Sequence, residues 1–205
     1  PAAMADAQAA NAAFTGPRVV LITGATAGIG AAAARRFATP GRTLLLTGRR
    51  QARLQTLQDE LAPTGAEVVP LCFDVRDQAA AETALTGLAP AHQAIDLLIN
   101  NAGLARGKGP IHEGLLSDWE EMIDANLKGL LYVTRLVSPG MVARGQGHII
   151  NIGSIAGKEA YPGGNVYNAT KHGVDGLTRG MRADLAPHGI RVAALHPGLV
   201  NTEFS

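Results

Sequence analysis

The chain has 205 residues, of which 46% are hydrophobic and 17% are charged, and its net charge is +1. This length and balance are typical of one globular domain with a substantial core, and they argue against a disordered chain. Nucleic acids and anionic membranes require clustered excess Lys and Arg, so the near-neutral charge argues against both partners.

The sequence also carries no pattern typical of a targeting or membrane segment. No run approaches 18 continuous apolar residues, and the Ala-rich residues 1–16 lack the basic and strongly apolar regions of a secretory signal. We therefore expect a cytoplasmic protein with a flexible tail over residues 1–17. The single cysteine, Cys72, lies in the apolar run EVVPLCF, which predicts a buried, unreactive thiol.

The first element is a short β-branched strand, RVVLITG, followed by the glycine-rich turn TGATAGIG and the helical run AAAARRFA. Gly24, Gly28 and Gly30 fall where a strand-to-helix turn needs a tight bend, close approach of a ligand and close packing of helix on strand. The N-terminus of the following helix would attract a pyrophosphate. A glycine-rich turn alone is a weak signal, and the flanking strand and helix strengthen it.

Strands and helices then alternate. Further strands are predicted at TLLLT, VVPLCF, IDLLIN, HIINI and RVAAL, with amphipathic or Ala-rich segments between them. This alternation predicts an α/β fold of a single domain over residues 18–205: a doubly wound, Rossmann-type parallel sheet with strand order 3-2-1-4-5-6. Ligands of such sheets bind beyond the C-terminal strand ends, and six candidate residues fall there: Gly24, Gly48, Asp74, Asn101, Ser154 and Pro197.

Two long helices are predicted in the second half of the chain. Ser117 and Glu120 have the spacing of a capping box at the start of one, which runs through Trp119 to Val133, and the other covers residues 164–185. After the sixth strand the sequence reaches the turn HPGLVNTEF. Since a sheet ending there exposes an apolar edge and leaves its cleft uncovered, we expect a seventh strand and a substrate lid beyond Ser205.

The stretch from Ser154 to Lys171 has the strongest chemical pattern. Tyr167 and Lys171 are four residues apart and share one face of the predicted helix, which places an ammonium near a phenol. Ser154 follows the strand HIINI, so its hydroxyl would reach the same space. A Tyr-x-x-x-Lys pair alone proves little, and a strand-end serine can simply cap a turn.

Taken together, the motifs TGATAGIG, NNAG at residues 100–103, Asn126, Ser154, YNATK at residues 167–171 and PGLVNT at residues 197–202 resemble the short-chain dehydrogenase/reductase family in order and spacing. The resemblance implies hydride transfer between a nicotinamide cofactor and a carbonyl or alcohol carbon. Tyr167 would be the general acid and base, and Ser154 would hold the substrate oxygen. Lys171 would bind the nicotinamide ribose and lower the tyrosine pKa, and Asn126 would anchor a water for proton relay or make a buried polar bond instead.

The second strand ends in TGRR, which indicates the cofactor. A carboxylate is typical there for NAD, but Gly48 takes its place and Arg49 and Arg50 follow. The arginine fork suits a 2′-phosphate, so we predict NADP rather than NAD, the alternative being two merely solvated arginines. The resemblance implies the following cofactor-binding residues: Gly24, Thr26, Gly28, Ile29, Gly30, Arg49, Arg50, Asp74, Val75, Asn101, Ala102, Gly103, Tyr167, Lys171, Pro197, Gly198, Val200 and Thr202.

The substrate is less determined. Several runs, including YPGGNVYNATK and PGLVNTEFS, are similar to the subgroup of NADP-dependent 3-hydroxy acid (serine and allo-threonine) dehydrogenases. The chain departs from that subgroup at Glu159 and by one residue between Val200 and Thr202, so 3-oxoacyl, polyol and sugar reductases stay open. A catalytically silent NADP-binding sensor is a further alternative. We expect no metal site, because the six histidines are scattered. The family resemblance also implies a homotetramer or homodimer. The apolar stripe from Trp119 to Val133 would fit a contact between copies and a monomer core equally.

Overall fold

Six parallel strands form the centre of the fold. The computed structural model describes residues 16–200. The strands are β1 (Val19–Ile22), β2 (Thr43–Gly48), β3 (Glu67–Cys72), β4 (Leu97–Asn100), β5 (Gly147–Ile152) and β6 (Ile190–Leu195). They pair in the order β3-β2-β1-β4-β5-β6, which confirms the predicted doubly wound topology.

Helices follow the strands along the chain. They are α1 (Gly28–Phe37), α2 (Gln51–Leu61), α3 (Gln78–Thr86), α4 (Leu116–Ile123), α5 (Leu130–Arg144) and α6 (Asn165–Leu185). A π-helical segment, Asp124–Gly129, joins α4 to α5. The predicted single helix through Val133 is therefore interrupted by a wider turn, of the kind that often marks functional sites.

The core lies in two layers, one on each face of the sheet. Successive residues of a strand point to opposite faces, and in β1 Val19 and Leu21 join one cluster while Val20 and Ile22 join the other. Leucines of α2 cover the second cluster, and α3 and α5 cover the first. Because both faces are covered, the strands read as continuous apolar runs.

Two local predictions are wrong. The helix α4 begins at Leu116 after Leu115, no side chain of the described residues caps it, and Ser117 lies within its first turn, so Ser117 and Glu120 do not form a capping box. Cys72 is exposed rather than buried, because it is the last residue of β3, and β3 is the edge strand. An apolar run at a sheet edge does not guarantee burial of its last residue.

The ends of the strands bring the predicted site residues to one edge of the sheet. The glycine turn follows β1, Arg49 and Arg50 follow β2, Asp74 follows β3, Asn101 follows β4 and Ser154 follows β5. Among residues 16–200, none of the helices has the length and apolar character needed to cross a membrane.

Candidate active site

The glycine-rich turn after β1 brings backbone atoms into direct contact. Gly24 and Gly28 have φ of 63° and 52°, in the left-handed region that favours glycine. A Cβ on Gly30 would lie 2.4 Å from the Gly24 carbonyl oxygen. Within residues 16–200 no side chain caps α1 and its first turn has no acidic residue, so its N–H groups and positive dipole end suit a phosphate.

Asn101 holds this turn in place. Its Nδ2 donates hydrogen bonds to the carbonyl oxygens of Thr23 and Gly24 at 2.9 and 3.0 Å. The Thr23 hydroxyl in turn accepts from the backbone N–H groups of Asn101 and Ala102, both at 3.0 Å. The resemblance implied that Asn101, Ala102 and Gly103 bind the cofactor, and the structure adds that the Asn101 amide ties the end of β4 to the glycine turn.

The arginines after β2 lie beside the same turn. Gly48 is buried, and a Cβ there would lie 2.7 Å from Thr26 Cγ2. Any side chain at position 48 would therefore collide with Thr26. Arg50 Nη2 donates to Thr26 Oγ1 at 3.1 Å. Arg49 is 53% exposed, with Nη1 3.8 Å from Asp74 Oδ2. Arg50 therefore lies beside the glycine turn, and Arg49 lies near the carboxylate that follows β3.

Asp74 is the centre of an ionic network that the sequence did not reveal. Arg76 binds the Asp74 carboxylate through Nε at 3.0 Å and Nη2 at 2.7 Å, and it donates from Nη1 to Glu121 at 2.8 Å. Arg106 donates to the other oxygen of Glu121 at 3.0 Å. Burial acts to raise the pKa of Asp74, but the hydrogen bonds from Arg76 and the charge of Arg49 hold it below its usual value.

Other cofactor candidates are less directly placed. Val75 is buried, and a Cβ on Gly129 of the π-helical segment would lie 2.7 Å from its Cγ2, so Val75 packs between β3 and that segment. Gly198 and Val200 are exposed. Ile29 packs partly against the core beneath the glycine turn. Thr202 lies outside the described residues.

Ser154 forms the bend between β5 and the 3₁₀ turn Ile155–Gly157. Its backbone is extended, and its Oγ accepts from the Ala156 N–H at 3.1 Å. The same hydroxyl is hydrogen-bonded to the side chain of Tyr167. The serine therefore caps a turn and also contacts the candidate acid and base, while its role of holding a substrate oxygen stays a prediction.

Tyr167 lies in the first turn of α6 and is partly buried. Burial raises the pKa of its phenol, the hydrogen bond from Ser154 lowers it, and the nearby phenol of Tyr161 raises it, with a net increase. Burial therefore dominates the pKa of this phenol, and the lowering by Lys171 that the family resemblance implies stays a prediction. The phenol is accordingly protonated at neutral pH.

Lys171 lies one turn further along α6 and is almost completely buried, with 5% of its surface exposed. Its Nζ donates to the Ile152 carbonyl oxygen at 2.9 Å and lies 5.9 Å from the centroid of the Tyr167 ring. Burial lowers the pKa of Lys171 to about 8, because removing the ammonium from water disfavours its charged form. The predicted convergence of Ser154, Tyr167 and Lys171 is thus present in the structure.

Asn126 lies in the π-helical segment and is buried. Its Oδ1 accepts from Leu104 N at 2.8 Å, and its Nδ2 donates to Leu104 O at 2.9 Å and to Thr170 Oγ1 at 3.0 Å. Both amide protons are therefore used within the protein. These contacts match the alternative of a buried polar bond, and the water-anchoring role stays a prediction.

A cleft of about 220 Å³ opens beside Tyr167. Its lining includes the loop after β4, the start of α4 and the segment before α6, with Trp119 and Met122 as apolar walls. Charged side chains of both signs line it as well, namely Arg106, Lys108, Glu113 and Asp118. A small polar or charged molecule could reach Tyr167 there.

Buried amides support the site from below. Asn100 Nδ2 donates to Thr134 Oγ1 and to Asn151 Oδ1, both at 2.9 Å, and Asn151 Nδ2 donates to Thr178 Oγ1 at 2.9 Å. This network links the ends of β4 and β5 to α5 and α6. In the sequence, its only signal is the presence of polar residues within apolar strand runs. Within the described chain, His, Cys, Asp and Glu form no group of three or more that could hold a metal ion.

Comparison with known proteins agrees with this geometry. The sequence model of the family described as short chain dehydrogenase matches residues 18–205. The chain belongs to the short-chain dehydrogenase family. It is 52% identical over 188 residues to the NADP-dependent 3-hydroxy acid dehydrogenase YdfG of Salmonella typhi, covering 91% of this chain and 75% of that protein.

Two solved structures are similar to the fold described above. The crystal structure of serine dehydrogenase from Escherichia coli has 51% sequence identity and a TM-score of 0.83, with 89% of this chain and 83% of that chain covered. The closed form of serine dehydrogenase complexed with NADP⁺ has 51% identity and a TM-score of 0.85, covering 91% and 74%. The resemblance drawn from the motifs and the predicted fold are confirmed.

Proposed function

We propose that this protein is an NADP-dependent oxidoreductase that transfers hydride reversibly between the nicotinamide and a secondary alcohol or ketone, with 3-hydroxy acids as its substrate class. The observation that carries the proposal is the convergence of Ser154, Tyr167 and Lys171 at the edge of the sheet where the glycine turn and two arginines also lie. The names of the relatives, NADP-dependent 3-hydroxy acid dehydrogenase and serine dehydrogenase, support the same chemistry.

The residues present fit the dinucleotide. The glycine turn and the uncapped N-terminus of α1 would hold the pyrophosphate, and Lys171 would hold the nicotinamide ribose. Arg49 and Arg50 would meet the 2′-phosphate, because their guanidinium groups lie beside Thr26 and Asp74. When bound, NADPH supplies the hydride.

The protein's own residues would manage the substrate oxygen and its proton. The Ser154 hydroxyl would bind the carbonyl oxygen, and the Tyr167 phenol would donate a proton to that oxygen as it becomes negative. Because burial raises the pKa of Tyr167, the phenol carries this proton throughout the neutral range. In alcohol oxidation the phenolate is needed instead, and the ammonium of Lys171 would favour it electrostatically.

Two cations of the cleft could bind an acid substrate, beside the anions Glu113 and Asp118. Arg106 and Lys108 line it together with Tyr167, and cations of this kind can bind a carboxylate. Glu159, at which the chain departs from the 3-hydroxy acid subgroup, is exposed. A panel of 3-hydroxy acids, including serine and allo-threonine, should therefore give higher kcat/KM than polyols, sugar alcohols or 3-oxoacyl esters.

The acid and base role of Tyr167 is tested by Tyr167→Phe, with Tyr132→Phe on α5 as the matched control. We expect Tyr167→Phe to lose nearly all NADPH oxidation while NADPH binding, followed by nucleotide fluorescence, survives. Substantial remaining turnover would remove Tyr167 as the proton donor. If the unmodified protein binds NADPH tightly but turns over no compound of the panel, the catalytically silent sensor is the better explanation.

The cofactor preference is tested by Arg49→Asp, with Arg36→Asp near the end of α1 as the control. Two charge-assisted contacts of about 1.5 to 3 kcal/mol each would favour NADP over NAD by at least about tenfold. We expect Arg49→Asp to reverse this ratio of kcat/KM values and Arg36→Asp to leave it unchanged. Equal efficiency with both cofactors in the unmodified protein would contradict the assignment.

We further propose that the protein is a cytoplasmic homodimer or homotetramer. The exposed apolar side chains Ile123 and Leu131 flank the π-helical segment between α4 and α5 and support a helix-mediated contact between copies. Sedimentation velocity would give the number of copies, and a single-chain mass would contradict the proposal. Cell fractionation would test the location.

A further inference from the structure

A cluster of charged side chains contacts the backbone at Ser154. Asp175, one turn after Lys171 on α6, is buried, and its carboxylate accepts hydrogen bonds from Lys158 Nζ at 2.9 Å and from Arg179. His196 Nε2 lies 3.4 Å from Asp175 Oδ1, and His196 Nδ1 lies 3.3 Å from the Ser154 carbonyl oxygen. The imidazole therefore bridges the helix that carries Tyr167 and the bend that carries Ser154.

The chain on either side of these two residues is held together as well. The neighbours of Ser154 donate backbone hydrogen bonds to the neighbours of His196: Gly153 to Leu195 at 2.7 Å and Ile155 to Pro197 at 3.1 Å. A Cβ on Gly153 would lie 2.7 Å from His196 Nδ1, so the imidazole packs directly on the backbone. Movement of His196 would thus be transmitted to Ser154 and to the turn at residues 197–200.

The two partners of this imidazole impose a requirement on its protons. The Ser154 carbonyl oxygen accepts hydrogen bonds only, and so does the ionised Asp175 carboxylate, whose pKa is lowered chiefly by the hydrogen bond from Lys158. A neutral imidazole has one N–H, whereas the imidazolium has two. Both contacts can be hydrogen bonds at the same time only when His196 is protonated.

We propose that His196 is a positioning residue for the reaction: its imidazolium, held by Asp175, binds the Ser154 carbonyl oxygen and keeps the Ser154 hydroxyl in place against Tyr167. Deprotonation removes one of the two hydrogen bonds and loosens the bend. The inference rests on the function proposed above and adds a pH response to it. Asp175 from α6 contacts the imidazole, and the cations Arg179 from α6 and Lys158 from the turn after Ser154 bind the same carboxylate.

The kinetic test compares three variants in the reductive direction at saturating NADPH between about pH 5 and 8, the range in which histidines change charge. His196→Leu removes both hydrogen bonds, and we expect kcat to fall about tenfold, less than the hundredfold that a 1 Å misplacement can cause. His196→Gln has two amide protons at every pH, so kcat should stay within about threefold of its value in acid and lose its dependence on pH. His188→Gln, in the exposed turn after α6, should retain the pH profile of the unmodified protein.

A second measurement does not depend on turnover. The imidazole proton resonance of His196 is identified by its absence in His196→Gln, and its titration is followed in the unmodified protein and in Asp175→Asn. We expect the titration midpoint to move to lower pH in Asp175→Asn, because the carboxylate that favours the imidazolium has been neutralised. An unchanged midpoint overturns the bridge, whatever the turnover.

The outcomes separate this inference from the proposed function. Turnover with an unchanged pH profile in His196→Leu refutes the positioning role and leaves the oxidoreductase assignment intact. Absence of turnover in the unmodified protein refutes the oxidoreductase assignment and removes any role of His196 in catalysis, while the resonance titration still decides whether the protonated bridge exists. His196→Gln keeps the kinetic test usable if His196→Leu does not fold.

Discussion

Replacing Lys171 by methionine should abolish turnover and at the same time stabilise the fold. Lys171 is 5% exposed, and burial lowers its pKa from the ordinary 10.5 to about 8. A displacement of this size corresponds to roughly 3 kcal/mol of penalty for holding the charged form in the folded protein. Methionine has a similar length and no charge, so Lys171→Met removes that penalty.

The gain is reduced by one lost contact. Lys171 Nζ donates to the Ile152 carbonyl oxygen at 2.9 Å, and loss of this bond leaves a buried acceptor unpaired at a penalty of about 1 to 2 kcal/mol. The free energy of unfolding at pH 7 should therefore rise by about 1 to 2 kcal/mol, which raises Tm by about 4 °C for a chain of this size. Lys128→Met is the matched control, because Lys128 is 53% exposed, and it should leave Tm nearly unchanged.

The dependence of stability on pH gives a second check that the buried charge of Lys171 destabilises the fold. The folded pKa of Lys171 is depressed, so between about pH 8 and 10.5 the unfolded chain binds a proton that the folded chain has lost. The unmodified protein gains stability from this group as pH rises through that range, and the advantage of Lys171→Met should shrink. Urea unfolding at pH 7 and pH 9.5 measures the difference. A variant that is less stable than the parent at pH 7, or an advantage that does not shrink, refutes the reasoning.

Two further predictions concern the proton donor and the glycine turn. The hydrogen bond from Ser154 lowers the pKa of Tyr167, so Ser154→Ala should move the ascending, acid-side limb of the kcat/KM profile for alcohol oxidation to higher pH; an unmoved limb argues against that bond. Gly30→Ala places a Cβ 2.4 Å from the Gly24 carbonyl oxygen, and it should weaken NADPH binding by more than about tenfold and destabilise the fold by about 2 kcal/mol. Gly180→Ala on α6, where a Cβ meets nothing within 4 Å, should be neutral or slightly stabilising in a thermal melt.

The sheet could be predicted from the sequence because the patterns that indicate its strands and crossovers are local. Each buried strand is a short apolar run, each crossover is a helical segment, and the handedness of crossovers leaves few topologies. The glycine turn and the Ser154, Tyr167 and Lys171 set were found for the same reason, since a fixed spacing on one element fixes their relative placement. Strand order and the edge at which the ligand binds then followed from the topology.

What the sequence could not reveal are contacts between residues far apart in the chain. Arg76 and Glu121 are separated by 45 positions and meet at 2.8 Å, and Ser154 and His196 are separated by 42 positions. Neither pair has a periodicity or a motif to indicate it, because long side chains on different elements meet only after the sheet has formed. The failed assignments have a related cause: the burial of Cys72 depended on its strand being at the edge of the sheet, which an apolar run does not specify.

The π-helical segment explains why an asparagine can lie within a helix at this site. Asparagine is disfavoured in helix interiors, but the wider turn directs Asn126 inward. There its side-chain amide accepts a hydrogen bond from the Leu104 N–H, and it donates to the Leu104 carbonyl oxygen and to Thr170 Oγ1 at 3.0 Å. Thr170 in turn donates to the Tyr167 carbonyl oxygen at 2.8 Å. Asn126 is thereby connected to the turn of α6 that carries Tyr167 and Lys171, so a regular helix at residues 124–129 would break a contact that holds this turn against the π-helical segment.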